Sequence, residues 1–228
     1  MMSIADNIRK IRESIAEVSD SGAVLLVAAT KMNGAGAVRE AIAAGVDACG
    51  ENKVQEFLEK DAQGAYLGAP KHFIGHLQTN KVNKLVGKVD LIQSVDSPEL
   101  LRLIGARAER LGLRQDILLE VNLAREEQRS GVLPEALPEL IARAGETRGV
   151  MVRGLMCVAP IVGEEHGARP YFSRMRQLFV DNSGKKYDNV SMDFLSMGMT
   201  GDYLDAVREG ANMVRIGSAI FGARDYGV

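Results

Sequence analysis

The chain has 228 residues, a length that a single α/β barrel fills and that is ample for a sizeable core. Its 28 Lys and Arg against 30 Asp and Glu leave a formal net charge of -2, so no bulk basic field attracts nucleic acid. No apolar run reaches the roughly 18 residues of a membrane span, and the acid-bearing start MMSIADNIRKIRESIAEVSD reads as neither signal nor transit peptide; the expectation is a cytoplasmic protein without membrane partners.

Ile4, Ile8, Ile11, Ile15 and Val18 recur at intervals of four and three, the stripe of an amphipathic helix. Eight short apolar runs follow, at 23–30, 46–50, 72–77, 89–95, 116–123, 152–159, 193–199 and 213–222. Helical patterns at 35–44, 53–60, 98–111, 134–144, 170–180 and 202–209 alternate with them. The stretch from Ser97 carries its own punctuation, with Ser97 as N-cap, Pro98 at the first helical position and Gly112 at the close. Strands alternating with helices imply parallel crossovers, and eight runs imply closure. The expected fold is α/β: a single (β/α)8 TIM barrel with an extra N-terminal helix, one domain over 1–228. A doubly wound sheet is the alternative, but no GxGxxG follows the first run. Cys49 and Cys157 stand singly in apolar runs without a CxxC, so both read as buried, reduced thiols, and no metal site is expected.

In a barrel the active residues stand at the C-terminal strand ends. Lys31 ends the first run, AVLLVAAT. It is either a solvated strand terminus or an amine at a pocket mouth, made nucleophilic toward carbonyls by desolvation. LSMGMTGD (195–202) and RIGSAIFG (215–222) join Ser to Gly at the last two strand ends, where backbone N–H groups and a hydroxyl make an anion nest. Arg215 interrupts a strand buried on both faces; it either pairs with an acid on a neighbouring strand, such as Glu120, or faces a ligand. Glu51 and Asn52 end the second run, where Glu51 reads as a helix cap or a site residue; His76, Gln78 and Asn80 follow the third, with His76 a hydrogen-bonding loop residue rather than a metal ligand. A lysine amine, an anion nest and a buried arginine on one rim suit a phosphorylated aldehyde held as an imine, and pyridoxal 5'-phosphate fits that description.

ATK, GENKVQE, HFIGHLQTNK, IQSVDS, VRGLM, LSMGMTGDYLDAV and MVRIGSAIFGARDY occur in order from about Lys31 to Tyr226. In these motifs the chain resembles the pyridoxal phosphate homeostasis protein family. The resemblance implies the barrel of the alanine racemase N-terminal domain, as in fold-type III pyridoxal phosphate proteins, and cofactor binding without established enzymatic activity. It implies Lys31 as the aldimine lysine, Asn52 beside the ring, Arg215 at the pyridine nitrogen, and Ser196, Gly217 and Ser218 at the phosphate, with no catalytic residue and no metal. One departure is EEQRSG, where Arg129 stands at a position often lysine in relatives. The function so implied is a carrier or buffer serving intracellular pyridoxal phosphate homeostasis, with PLP-dependent apoenzymes as possible recipients.

Elementary chemistry favours the carrier. Carbanion-forming pyridoxal enzymes mostly set a carboxylate against the pyridine nitrogen, whereas Arg215 favours an unprotonated ring and a weak electron sink. Alanine racemases carry the same arginine but take a tyrosine base from a second domain, for which a chain ending at Val228 is expected to have no room. A minimal amino-acid racemase is the alternative, with Tyr203, Tyr226 or a histidine as base; a lysine aldolase or sugar-phosphate enzyme on the same fold is a third reading.

Overall fold

The computed structural model describes residues 2–19, 22–160, 162–164, 166–184 and 187–222. Helix α1 (Ile4–Val18) starts where Ser3 accepts the Asp6 N–H, and it buries Ile8, Ile11 and Ile15. Eight strands follow: β1 (Leu25–Ala29), β2 (Ala48–Glu51), β3 (Lys71–Phe73), β4 (Leu91–Val95), β5 (Gln115–Val121), β6 (Val150–Cys157), β7 (Val190–Ser196) and β8 (Met213–Ile216). They pair in parallel in sequence order and close, β8 on β1, into a barrel. Each expected apolar run contributes a strand because a parallel barrel strand is covered on both faces.

The helices are α2 (Ala35–Ala43), α3 (Val54–Ala62), α4 (Val82–Leu85), α5 (Pro98–Arg110), α6 (Leu137–Glu146), α7 (Arg169–Asp181), α8 (Tyr203–Arg208) and α9 (Ser218–Phe221). At α5 the expected punctuation holds: Ser97 Oγ accepts from Leu100 N at 3.3 Å, Pro98 opens the helix, and Gly112 takes a φ of +67° beyond its end. Three details differ from the sequence reading. The run 213–222 stops as a strand at Ile216, and Ser218–Phe221 turns helical. The helix expected over 134–144 divides into a 3-10 turn at Pro134–Ala136 and α6, because Pro138 in the first turn of α6 has no N–H to continue an earlier helix. The short α4 has no counterpart among the expected helices, four residues being too few for a visible period.

Two cores result. The larger lies between the barrel and its helices; the smaller fills the bore with Val27, Ala48, Leu91, Leu118, Met156 and Met213. Side chains alternate across a strand, so the residues two places further along point into the same bore, one layer nearer the C-terminal rim. That layer holds Ala29, Gly50, Gln93, Glu120 and Arg215, with Ser196 two places beyond Phe194. The apolar plug thus gives way to a polar layer just under the rim. No helix among the described residues is long and apolar enough to cross a membrane.

Candidate functional site

Above the polar layer opens a cavity of about 510 Å³, lined by residues from the rim loops. Lys31, Asn52, Thr200, Gly217 and Ser218 line it, and Arg215 belongs to the lining as well. Five of the six residues expected at a cofactor site therefore meet in one cavity. Ser196 does not.

Lys31 stands two residues past the end of β1, in a turn whose geometry is held from outside the barrel. Met32 adopts a φ of +63°, unusual for a residue with a side chain, and its N–H donates to Glu56 Oε2 at 2.8 Å. Beneath it Lys60 Nζ donates to the Thr30 carbonyl at 2.8 Å and to Glu51 Oε2 at 2.6 Å. Thr30 Oγ1 donates to Glu51 Oε2 at 3.0 Å. Glu51 also accepts the N–H of Asn52 at 2.8 Å. Glu51 is thus neither a simple helix cap nor a lining residue but the hub of a buried cluster that fixes both Lys31 and Asn52 from behind. Asn52 Oδ1 is buried without a partner. An orphaned acceptor in a ligand-sized cavity is a group that a ligand hydroxyl satisfies. Gly75 lets this wall form, since a Cβ there would stand 2.1 Å from the Asn52 carbonyl oxygen.

At the same cavity Arg215, on the strand next to β1, is only 4% exposed. Burial pulls its guanidinium below its ordinary pKa, the nearest compensation coming from neighbouring polar and acidic groups. Nη1 donates to Ser196 Oγ at 2.7 Å and Nη2 to the Cys157 carbonyl at 2.8 Å. Glu120, a possible ion partner from the sequence, forms no such pair. Its Oε1 accepts from Ser130 at 2.9 Å, its Oε2 is buried without a partner, and burial pushes its carboxyl up.

Ser196 is fully buried below the cavity, donating to Gln93 Oε1 at 2.7 Å while accepting from Arg215. The hydroxyl at the β7 loop that does reach the cavity is Thr200, four residues on, which the sequence reading passed over. Thr200 Oγ1 accepts the Ala219 N–H at 3.4 Å, tying the β7 loop to the start of α9 beside Gly217 and Ser218 and leaving its own proton for a ligand oxygen. LSMGMTGD contains both hydroxyls; only the direction each faces in the closed barrel separates them. Arg129 lies off the cavity, donating to the carbonyl of the lining residue Ala159 at 3.1 Å and pairing with Glu126. It props the wall.

The remaining candidates fall elsewhere. His76 sits 3.6 Å from Asp96, an acid the linear sequence did not associate with it. Tyr203 packs on the outer core, and Tyr226 lies outside the described residues. Among the described residues no group of three or more His, Cys, Asp or Glu is placed to hold a metal. His166, in the loop after β6, reaches the cavity and holds Asp205 through Nδ1 at 2.8 Å.

A family model for the alanine racemase N-terminal domain matches residues 1–225. The pyridoxal phosphate homeostasis protein of Aquifex aeolicus is 45% identical over 189 residues, 83% of this chain and 82% of its own length. That of Pseudomonas aeruginosa is 38% identical over 232 residues, 100% of this chain and 98% of its own. The chain belongs to the pyridoxal phosphate homeostasis family. Among solved structures of similar proteins, PipY of Synechococcus elongatus with PLP bound superposes with a TM-score of 0.85 at 32% identity, over 96% of this chain and all of PipY. Alanine racemase from Clostridium difficile shares the fold with a TM-score of 0.71 at 16% identity, and this chain spans 58% of it. The barrel expected from the motifs and the membership of this homeostasis family both hold.

Proposed function

We propose that this chain, acting as one domain over 1–228, binds pyridoxal 5'-phosphate reversibly and serves as an intracellular carrier or buffer of it, without catalytic turnover. The observation that carries the reading is the meeting of an amine (Lys31), an orphaned amide acceptor (Asn52) and a buried guanidinium (Arg215) around one cavity of 510 Å³. The family's curated names and the PLP-bound PipY support it. The bound group supplies an aldehyde that condenses reversibly with a primary amine. Lys31 provides that amine, Asn52 stands beside the ring, and Gly217, Ser218 and Thr200 present N–H and O–H donors to the phosphate. Ser196, first assigned to the phosphate, acts in this reading through Arg215 instead.

In this reading Arg215 favours holding the group by making it a weak electron sink. A guanidinium donates only, so it satisfies an unprotonated ring nitrogen and offers no carboxylate to keep that nitrogen protonated. The recipients in this reading are PLP-dependent apoenzymes, and the place is the cytoplasm. The racemase alternative has one observation in its favour: the imidazole of His166, oriented by Asp205 at the cavity, is the kind of group that moves protons.

Absorbance of the loaded protein before and after borohydride, followed by peptide mapping, tests the attachment. The pyridoxyl group is expected on Lys31, and recovery chiefly on another lysine overturns the assignment. Racemisation of L-alanine at about 1 per second or faster, an ordinary enzymatic rate, overturns the carrier reading.

A further inference from the structure

Arg215 is one end of a hydrogen-bonded chain that crosses the bore. Its Nη1 donates to Ser196 Oγ at 2.7 Å; the Ser196 hydroxyl donates to Gln93 Oε1 at 2.7 Å; Gln93 Nε2 meets His72 Nδ1 at 3.0 Å. The four side chains come from β8, β7, β4 and β3. Since β4 and β7 are not neighbours in the sheet, the Ser196–Gln93 bond spans the barrel interior. All four residues are buried.

With the Gln93 amide oriented as it is, Oε1 to Ser196 and Nε2 to His72, each bond in the chain has one direction. Arginine has donors only, so Ser196 Oγ accepts from it. A hydroxyl has one proton, which Ser196 gives to the oxygen of the Gln93 amide. The amide nitrogen of Gln93 is then turned to His72 and donates, so His72 Nδ1 carries a lone pair and the ring is the neutral Nε2–H tautomer. Burial independently favours that form, lowering His72 to about 4. A cation at the cavity floor and a neutral imidazole across the bore therefore dictate each other's hydrogen bonds.

We propose that His72 and Gln93 are positioning residues for Arg215, locking its guanidinium, through Ser196, in the orientation that faces a bound ring. The inference rests on Arg215 being the ring-nitrogen partner only for its consequence in the loaded protein. The locking itself is a property of the empty chain. A core that merely needed filling would carry Leu at 93, as it does at 91 one layer below. A half-satisfied polar chain is costlier than an apolar core, so its completeness up to Arg215 is the informative feature.

The experiment is nitrogen-15 NMR of the arginine and histidine side chains in protein freed of cofactor. In the wild type, Arg215 should show resolved Nη signals from slowed rotation, and His72 the Nε2–H tautomer. Gln93→Leu and His72→Leu should collapse the Arg215 signals, whereas His72→Asn, which sets an amide oxygen in place of Nδ1, should keep them. If Gln93→Leu does not fold, His72→Leu and Ser196→Ala carry the same expectation. Folded Gln93→Leu or His72→Leu with unchanged Arg215 signals overturns the proposal, as does a His72 Nδ1–H tautomer in the wild type. On loading with nitrogen-15 pyridoxal 5'-phosphate, Gln93→Leu should weaken binding about tenfold and shift the ring-nitrogen signal, about 1.4 kcal/mol. Responsive Arg215 signals beside a ring nitrogen that even Arg215→Lys leaves unmoved would support the lock while refuting the ring-partner reading.

Discussion

The two walls of the cavity are fixed by opposite electrostatic means. Behind Lys31, outside the barrel, Lys60 and Glu51 form an ion pair at 2.6 Å with side chains 9% and 1% exposed, joined by Thr30 and reinforced by Glu56. Under Arg215, inside the barrel, the supports are neutral: a serine, a glutamine, an unprotonated histidine and a carbonyl. The difference follows from what each wall presents. The Lys31 wall must hold a backbone turn with a residue at positive φ, and Lys60 holds the carboxylates of Glu51 and Glu56 behind it. In the proposed reading the Arg215 wall keeps its cation available to a ligand, and a carboxylate in direct contact would claim it. Uncompensated charge is expensive to bury, so Arg215 is surrounded by hydrogen-bond acceptors instead.

The sharpest way to break this contrast is to remove the cation of the ion-paired wall. Lys60→Met strands Glu51 in the interior and should destabilise the protein by about 3–5 kcal/mol in urea unfolding. Glu51→Gln together with Lys60→Met should recover much of that loss, and no recovery would mean that packing rather than charge holds this wall.

The neutral wall should answer to acid. His72 is depressed from 6.5 to about 4, so the unfolded chain takes up the proton first. Native stability should therefore fall as pH drops from about 6.5 to about 4, by about 3 kcal/mol, and then level off for this group. His72→Asn, which cannot titrate, should remove that slope from the difference between the two unfolding curves. An unchanged slope would place the acid sensitivity elsewhere.

At the ligand, the hydroxyls of the neutral wall separate by layer. Thr200→Ala and Ser218→Ala should each weaken pyridoxal phosphate binding by about 1.5–3 kcal/mol, one hydrogen bond to a charged group, and spare dephosphorylated pyridoxal. Ser196→Ala should weaken both ligands alike, because it acts through Arg215. Selective loss of the phosphorylated ligand in Ser196→Ala would return that hydroxyl to the phosphate. The smallest effect belongs to the thiols. Burial pushes Cys49 and Cys157 up to about 12, so native protein at pH 8 should resist a thiol reagent that labels both after unfolding.

Sequence by itself determined the parallel barrel, since period, punctuation and eight apolar runs are local signals. It also picked out Lys31, Asn52, Gly217 and Ser218, whose positions at strand ends place them on one rim wherever the barrel closes, and Arg215 in the layer just beneath. What it did not determine was facing and partnership. Ser196 and Thr200 are four residues apart, yet the end of β7 turns one into the bore and the loop lifts the other to the cavity. Gln93 lies 103 residues from Ser196 and 21 from His72, and Glu51 finds Lys60 only because α3 packs back on β2. Strand register and barrel closure alone decide such contacts, because hydrogen bonds act over about 3 Å of space and are blind to distance along the chain.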